Sequence, residues 1–296
     1  MEGEGKREMY EQLPDGSYPR TLYFSPSTPE EHLLDQVRSV FRFPLVVKPD
    51  VGMKGLWFDR VEDEAQLLRY HRSVPVDYLV QDWVDWPVEV SVFYYRHPLE
   101  TKGRISGFIH KTLLQVTGDG RSNLLELIRQ HPKAASRLGE LTPRHEDRFH
   151  VVPAPGEIYL LSHAANHNRG AFFYNLSDRI NEALSLRFDE LSRQTSFYYG
   201  RYDLKVRSIE DFCGGGPFSI LEFNGCGAEP NHIYDCGMSL SQAYRVILAH
   251  WKVLFEISRH NHRIGHTYWN FWRGVRFLHR SARHFNVLKS TPPPSL

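Results

Sequence analysis

The sequence predicts an α+β protein, because segments with strand periodicity and segments with helix periodicity both occur along the chain. Residues 200–206 (GRYDLKV) and 218–225 (FSILEFNG) alternate side chains of opposite polarity, as half-buried strands do. Residues 180–196 and the chain from Ser241 onward follow a helical pattern instead. With 296 residues, of which 41% are hydrophobic and 24% charged, the chain can bury a full core in one large domain or two lobes.

Start signals and apolar runs predict the elements of the first hundred residues. The first twenty-odd residues are polar and rich in Gly, Glu and Pro, which indicates a loose arm. Thr28 is the predicted N-cap of the first long helix, with Pro29 at its first position and Glu31 completing a capping box. The predicted elements are a helix at 29–40, a buried strand at 43–50, a helix at 62–73, and strands at 77–84 and 88–95.

The second half of the chain continues this mixture. Residues 103–116 predict a strand, and the glycine turn at 118–120 leads into a helix at about 122–131. We predict four parts along the chain. They are an N-terminal arm (1–22), a small lobe (23–84), a large lobe (85–240), and a helical basic segment (241–296) packed on the large lobe.

Composition limits the function classes. A net charge of +1 and a pI near 7.8 give the whole molecule no charge signature of nucleic-acid binding. The three cysteines, Cys213, Cys226 and Cys236, are an odd number in a long chain, and the N-terminus lacks an apolar signal region. We therefore expect a cytoplasmic protein without disulfides. No run approaches the about 20 apolar residues of a membrane-spanning helix.

The strands at 200–206 and 218–225 carry a candidate metal site. Side chains two apart on a strand share a face, so Asp203 lies on the side of Arg201, and Glu222 on the side of Asn224. Carboxylate and amide oxygens are ligands that Mg²⁺ prefers, usually together with substrate phosphates. The opposite, core-facing sides are predicted to hold Leu204, Val206, Leu221 and Phe223.

A lysine followed by a glycine loop is the second candidate feature. Lys48 ends a predicted strand, and Gly52 and Gly55 follow it. A lysine here suits a phosphate group, and small residues let backbone N–H groups approach the same group. The alternative is a strand that ends in an ordinary glycine turn. A Walker loop is absent from the sequence, so this is a different kind of nucleotide site.

Further polar residues follow in the next strands. The candidates to hold the ribose and adenine of a nucleotide are Gln81, Asp82, Trp83 and Val84, together with Glu89 after a short turn. Solvated acids beside a hairpin are the alternative. Lys111, in a strand with apolar neighbours, is a second candidate phosphate ligand. The alternative is that Lys111 lies at the edge of a sheet and extends its ammonium group to solvent.

A dense polar loop follows the strand near residue 160. Its Asn166, His167 and Arg169 are candidate substrate or phosphate contacts, and a capped turn is the alternative.

The C-terminal segment has a different chemistry from the rest. Apolar residues at heptad-like spacing (Phe271, Val275, Leu278, Ala282, Phe285) occupy one face and arginines (Arg273, Arg276, Arg280, Arg283) another. Only Glu256 is acidic after Ser241. The basic face suits an acidic partner, an anionic membrane surface or a nucleic acid. A solvated face over a packed apolar stripe is the default interpretation.

Six motifs in order resemble the ATP-grasp fold of carboxylate-amine ligases over residues 40–235. They are PLVVKPDVGMKG, VQDWVDWPVE, HKTLLQVTGDGRSNLLELI, NHNRGAFF, GRYDLKV and ILEFNG. The GR-x-D and LE-x-N strands resemble D-alanine:D-alanine ligases. The VTGDGRSNLLELI and NHNRGAFF segments resemble cyanophycin synthetases and bifunctional glutathione synthetases. The NG...EPNHIYD ending is similar to bacterial D-alanine:D-alanine ligase-like proteins.

The resemblance implies two α+β lobes that clasp ATP. It implies that Lys48 and Lys111 hold the phosphates under a flap containing Gly52 and Gly55. It also implies that the strand Gln81–Val84 lines the adenine ring, with Asp82 and Glu89 near the nucleoside. It implies further that Asp203, Glu222 and Asn224 bind two Mg²⁺ ions, for which Mn²⁺ can substitute. Arg201 and Lys111 are then the catalytic residues, with Arg201 steadying the transferring phosphoryl group.

The implied reaction is ATP-dependent ligation, in which a carboxylate becomes an acyl phosphate and an amine then displaces phosphate. An ATP-grasp phosphotransferase, and a nucleotide-binding scaffold without turnover, are the alternatives. The ATP-grasp motifs start almost at the beginning of this sequence, so we expect the family's N-terminal domain to be reduced or missing. The substrate pocket is then either open or completed by a partner chain or a second copy. GCGAEPNHIYD replaces the short turn of D-alanine ligases, which makes Glu229, Asn231 and His232 candidates for a different amino acid or peptide substrate.

Overall fold

Helices and strands both occur along the residues that the computed structural model describes, namely 5–52, 55–162, 165, 167, 170–291 and 294. The helices are α1 (Lys6–Tyr10), α2 (Glu30–Val40), α3 (Glu64–Ser73), α4 (Leu124–Gln130), α5 (Leu138–His145), α6 (Glu182–Gln194), α7 (Ile209–Cys213), α8 (Leu240–Arg263) and α9 (Phe271–Ser290). The strands are β1 (Thr21–Phe24), β2 (Leu45–Pro49), β3 (Asp59–Val61), β4 (Tyr78–Asp82), β5 (Val88–Tyr95), β6 (Arg104–Thr112), β7 (Gln115–Thr117), β8 (Ile158–Leu160), β9 (Phe172–Asn175), β10 (Tyr199–Val206) and β11 (Phe218–Asn224). The α+β class predicted from the sequence is confirmed.

The chain forms two compact units, and the first is built from both ends of the sequence. It contains the residues up to His110 and those from Asn175 onward, whereas the second contains Lys111–Tyr174. The second unit packs α4, α5 and the antiparallel pair β7–β8 around its own apolar cluster. α4 begins with a capping box formed by Asn123 and Glu126, whose side chains accept hydrogen bonds from two backbone N–H groups at the helix start.

A small antiparallel sheet in the first unit has the order β1-β4-β2-β3. Alternate side chains of β2 and β4 pack with α2 and α3 in one apolar core: Leu45, Val47, Tyr78 and Val80. The intervening residues face the other way, and the register pairs Val46 with Gln81 and Lys48 with Leu79. Lys48 therefore lies on the sheet face opposite the α2–α3 core.

The start of α2 differs from the sequence prediction. Pro29 occupies the N-cap position and no side chain caps the helix. Thr28 instead lies in the preceding turn, where its Oγ1 accepts a hydrogen bond of 3.2 Å from the Ser25 backbone N–H. The turn competes for the hydroxyl group that the predicted capping box needed.

The larger sheet of the first unit has the order β11-β10-β5-β6, and β6 continues into the second unit, where β9 is its neighbour. One face packs against α6 and α7 through an apolar core of aliphatic and aromatic side chains that includes Tyr94, Phe188, Tyr202, Leu204 and Phe212. The other face carries the polar residues of β5, β10 and β11. A β-bulge between Asp203 and Leu204 interrupts the pairing of β10 with β11.

The described part of the N-terminal arm is packed, in contrast to the loose arm predicted from its composition. Met9, Tyr10 and Leu13 are buried in the larger sheet's core, and Tyr10 stacks on Tyr18 at 4.7 Å. A few apolar side chains fix the segment although most of its residues are polar, because each buried aromatic residue contributes a large apolar area.

The two C-terminal helices pack on different sheets. Ile257 of α8 contacts a cluster with Phe93 and Tyr199 of the larger sheet. Phe285 and Leu288 of α9 enter the small sheet's core, and Trp57 Nε1 donates to the Leu288 carbonyl oxygen at 3.0 Å. The sequence prediction had the whole segment on the large lobe. Of the helices in the described ranges, none combines the length and apolarity that crossing a bilayer requires.

Candidate active site

The register between β10 and β11 brings together the polar residues singled out in the sequence. Asp203 lies directly opposite Glu222, and Arg201 lies directly opposite Asn224. Side chains of directly opposed residues share a sheet face, with Cβ atoms about 5 Å apart. These four side chains therefore meet at one place on the larger sheet.

The bulge changes which residues of β11 face the core. Beyond the Asp203–Glu222 pair, the next pair is Leu204 with Ile220, so Leu221 is left without a partner in the ladder. Ile220 is fully buried and Phe223 is buried, but Leu221 is only partly buried. The prediction for Phe223 is confirmed and that for Leu221 is wrong, because the extra residue shifts the alternation by one position.

Asp203 is buried, and its carboxylate accepts hydrogen bonds from Ser91, Arg201 and Asn224. Ser91 Oγ donates to its Oδ1 at 2.6 Å. Arg201 donates to both carboxylate oxygens, from Nε at 3.3 Å and from Nη2 at 3.4 Å, and Asn224 Nδ2 donates to Oδ2 at 3.4 Å. A buried carboxylate requires such partners, and these fix its orientation.

The segment after Asn224 returns to the same place. Asn231 Nδ2 donates to Ser91 Oγ at 3.1 Å, so Asn231, Ser91 and Asp203 form a hydrogen-bonded chain. Arg201 Nη1 donates to the backbone oxygen of Glu229 at 3.2 Å. The Glu229 carboxylate accepts from Tyr234 at 2.9 Å. Glu229 and Asn231, predicted as substrate residues, thus contact the partners of Asp203.

His232 lies below this surface and is uncharged at neutral pH. Burial lowers the pKa of His232 to about 4, and the neighbouring His250 lowers it further in the same direction. Its Nδ1 has no hydrogen-bond partner among the described residues. Its ring packs against Gly107, where no side chain could fit. The observed contacts of His232 are therefore packing contacts.

Lys48 reaches from the small sheet to β11. Its Nζ lies 3.2 Å from the carbonyl oxygen of Leu221 and 3.3 Å from the Tyr10 hydroxyl, which donates to the same carbonyl at 2.5 Å. Burial lowers the pKa of Lys48 to about 8, and the charges of Glu222 and Glu89 oppose that shift. A buried ammonium group thus lies beside the strand that carries Glu222.

Lys6 is a site residue that the sequence analysis missed. Its Nζ lies 3.7 Å from Glu222 Oε1 and its side chain is only 11% exposed. It also donates to the carbonyl oxygen of Asp50 at 3.3 Å. Polar composition suggested a loose arm, and Met9 and Tyr10 were the available signal that this segment packs. Lys6 and Lys48 both interact electrostatically with Glu222.

The two glycines of the predicted flap flank Met53 and Lys54, which lie outside the described residues. A side chain at Gly52 would place its Cβ 3.2 Å from the Lys6 ammonium nitrogen. Gly55 has a φ of 71°, a backbone conformation that favours glycine. Gly52 therefore belongs to the surroundings of Lys6.

Gln81 and Glu89 lie on the faces that carry the site. Gln81 is buried on the same face of the small sheet as Lys48, and its Nε2 donates to Thr21 Oγ1 at 2.8 Å. Glu89 lies opposite Lys205 in the register of β5 with β10, on the same face as Asp203. Their roles near a bound nucleotide stay predictions.

The remaining predicted nucleotide contacts have other partners. Arg20 donates to both carboxylate oxygens of Asp82, at 2.7 and 3.0 Å. Arg60 lies over the Trp83 ring at 4.7 Å, and Val84 is partly buried. Their role in binding adenine stays a prediction.

Four predicted residues belong to the second unit or lie outside the described residues. Lys111 is buried in β6, and the His167 ring lies 5.5 Å from that of Phe173. Asn166 and Arg169 lie outside the described residues. The roles assigned to all four remain predictions.

The donor chemistry at β10 and β11 fits a hard divalent cation. Two carboxylates, one buried (Asp203) and one 41% exposed at its side chain (Glu222), lie beside the amide group of Asn224. Across the described ranges, no three His, Cys, Asp or Glu side chains form a metal-binding group. The candidate site thus depends on Asn224 as its third donor.

Comparisons with known proteins give structural matches only. No protein-family model and no curated protein matches the chain. A bifunctional glutathione synthetase from Pasteurella multocida is 17% identical over 84% of this chain and 35% of its own, with a TM-score of 0.43. D-alanine–D-alanine ligase from Bacillus anthracis is 13% identical over 85% and 66%, with a TM-score of 0.43. ATP-grasp ligase PsnB, in complex with its minimal precursor, is 10% identical over 84% and 57%, with a TM-score of 0.42. The chain spans less than two thirds of the length of each.

Proposed function

We propose that this protein is an ATP- and Mg²⁺-dependent ligase that joins a carboxylate to an amine through an acyl phosphate. The observation that carries the proposal is the position of Lys48. Its ammonium nitrogen lies 3.2 Å from the Leu221 backbone oxygen, next to Glu222 in the chain, although 173 positions separate Lys48 from Leu221. A phosphate-binding cation and a cluster of oxygen donors are thus side by side, as a metal-bound triphosphate requires.

Two lysines and an arginine supply the positive charge for the triphosphate. Lys48 and Lys6 both interact electrostatically with Glu222, and Arg201 spans from Asp203 to the backbone oxygen of Glu229. Such fixed cations stabilise negative charge as it moves during phosphoryl transfer. We assign Lys48 and Lys6 to the phosphates, and Arg201 to the phosphoryl group and the acyl phosphate. Lys111 is proposed as a further catalytic lysine.

Asp203, Glu222 and Asn224 are the residues that would hold Mg²⁺. When bound, two such ions, or Mn²⁺ in their place, neutralise phosphate charge and fix the phosphate geometry. The chain's own contribution is orientation. Ser91, Asn224 and Arg201 fix the Asp203 carboxylate, so little rearrangement is needed when the nucleotide binds.

The substrates that we propose are amino acids or peptides. Glu229 is exposed, its backbone oxygen accepts from Arg201, and Asn231 is joined to Asp203 through Ser91. This segment therefore lies beside the proposed reaction centre, where it can bind the acid or the amine. A partner chain or second copy that completes the pocket is part of the proposal, as is a cytoplasmic location.

Substitution of the oxygen donors tests the reaction class. Asp203→Asn and Glu222→Gln should each reduce ADP formation at least a hundredfold in mixtures of amino acids and dipeptides with ATP and Mg²⁺. Glu210→Gln on α7, whose side chain is 72% exposed, is the matched control and should keep full turnover. Unchanged turnover in Asp203→Asn, with an unchanged melting temperature, would show the metal assignment to be wrong.

Amine dependence separates the ligase from its alternatives. A ligase releases phosphate only when both acid and amine are present, and mass spectrometry detects the amide product. A phosphotransferase needs no amine and forms a stable phosphorylated product. Nucleotide binding without turnover in every mixture tested would favour a scaffold.

A further inference from the structure

A stripe of apolar side chains on α8 is exposed instead of packed. We define the α8 stripe as Tyr244, Leu248, Trp251 and Phe255, whose spacing of three or four residues places them along one side of the helix. Each of these side chains is more than half exposed, and Trp251 is 64% exposed. His250 and Ile257 on the other side are buried. The helix thus has a second apolar face that the described part of the chain leaves uncovered.

The connection to α9 and the first half of α9 extend this feature. Trp269, Phe271, Trp272 and Leu278, the α9 group, are all exposed, and Phe271 is 74% exposed. The sequence pattern predicted that the apolar stripe of this helix packs on the protein. Only its end does so, through Phe285 and Leu288. Three of the six tryptophans of the chain are among these exposed residues.

The same segment is strongly basic. From Ser241 to the end of the chain, nine residues are Lys or Arg, and Glu256 is the one acidic residue. The whole chain has a net charge of +1, so the preceding part has a net negative charge. Two arginines lie against exposed rings, Arg259 at 5.8 Å from the Phe255 centroid and Arg273 at 4.7 Å from that of Trp269. Positive charge is therefore concentrated where apolar side chains are exposed.

We propose that α8 and the first half of α9 bind the surface of an anionic lipid bilayer. Helices that lie in a bilayer interface combine Lys and Arg with exposed Trp, Phe and Leu. Trp and Tyr favour this boundary because their rings are apolar and their N–H and O–H groups stay hydrated. Lys and Arg near an anionic surface add electrostatic attraction. The α8 stripe extends about 16 Å along the helix, so several of its side chains can enter the interface together.

Charge argues against a second copy as the occupant of this surface. Two copies meeting through these helices would bring two sets of nine cationic side chains together with a single acidic residue each. Like charges at an interface weaken association. A nucleic acid would match the charge, but exposed Leu248 and Leu278 contribute nothing to phosphate binding. A lipid surface matches both the charge and the aliphatic side chains.

Cosedimentation with vesicles tests the proposal directly. The full chain should bind vesicles of equal parts phosphatidylglycerol and phosphatidylcholine at least tenfold more tightly than vesicles of phosphatidylcholine alone. Raising the salt from 0.1 to 0.5 M should weaken binding, because salt screens exposed charges. The triple variant L248S/W251S/F255S should bind at least tenfold more weakly. The control L99S/L186S, which removes exposed leucines elsewhere, should bind like the native chain.

Fluorescence gives an independent readout of the same contact. Brominated lipids should quench part of the tryptophan emission, and W251F should reduce that quenching. Equal vesicle binding by the native chain and the triple variant would overturn the proposal, as would equal binding to neutral and anionic vesicles. Dimerisation that the triple variant abolishes would assign the surface to a second copy, and salt-sensitive RNA binding without vesicle binding would assign it to nucleic acid. ATP turnover in solution should be the same in both variants, so the outcome is independent of the proposed ligase activity.

Discussion

Ser91 on β5 lies directly opposite Asp203 on β10 and donates a 2.6 Å hydrogen bond to its carboxylate. The Ser91 hydroxyl oxygen in turn accepts from Asn231 at 3.1 Å. One small side chain thus connects the candidate metal ligand with the segment that we propose to contact the substrate. These two hydrogen bonds hold the segment around Asn231, which follows β11 in the chain, at the candidate site on β10.

Ser91→Ala should impair the proposed ligase without unfolding it. The substitution removes one of the donors that orient Asp203 and the acceptor of Asn231. Loss of a partner that orients a metal ligand typically lowers metal affinity or activity about 10- to 100-fold. Titration of Mg²⁺ against the ADP formation rate measures the effect. Ser219→Ala, a buried serine on β11, is the control, and an equal loss there would indicate general damage to the sheet.

Nucleotide affinity should fall as the pH rises above about 8. In the protein without nucleotide, burial lowers the pKa of Lys48 to about 8, and phosphate binds the protonated amine. Above this pH the lysine must take up a proton on binding, so the apparent Kd should rise by up to about tenfold per pH unit. Calorimetric titration of an ATP analogue between pH 7 and 9.5 checks this. Lys48→Met should bind weakly and lose the pH dependence. An unchanged slope in that variant would contradict the assignment.

Leu288→Ala should destabilise the first unit. Leu288 is fully buried in the small sheet's core together with Phe285. Truncation of a buried leucine leaves a cavity and lowers the free energy of unfolding by about 2 to 5 kcal/mol. Val287→Ala, whose residue is 38% exposed, should cost about 1 kcal/mol or less. Urea unfolding of both variants measures the difference, and similar values would show that α9 is not anchored through Leu288.

Gly107→Ala should lower stability through a clash with His232. A methyl group at Gly107 overlaps the buried imidazole ring, and accommodating it requires the ring or the backbone of β6 to move. Such overpacking costs about 1 to 3 kcal/mol. Gly139→Ala in α5 meets no atom within 4 Å and should be neutral or slightly stabilising, since alanine favours helix. Thermal melts of the two variants should therefore shift in opposite directions or differ by several degrees.

The face of each strand was accessible from the sequence, because alternation is a local property of extended backbone. Tyr202, Leu204 and Val206 enter the core, while Arg201 and Asp203 lie on the other face, as the pattern of β10 indicates. Local pattern failed at Leu221, where the bulge changes the alternation. At Thr28, a hydrogen bond within the preceding turn uses the hydroxyl group that the predicted helix cap needed. At Lys6, a few buried apolar side chains nearby pack a segment whose polar composition predicted a loose arm.

The sequence by itself determined the α+β class and the approximate positions of most elements, and it supplied the residue types from which we predict a site for phosphate and a hard cation. Only the tertiary structure decided that Glu222 faces Asp203, that Ser91 and Asn231 support that carboxylate, and that Lys48 reaches Leu221. The same holds for the exposed α8 stripe, which has the spacing of a buried face. Periodicity shows which side chains share a face. Sheet register and helix docking depend on contacts between distant segments, and these decide which face is covered and by what.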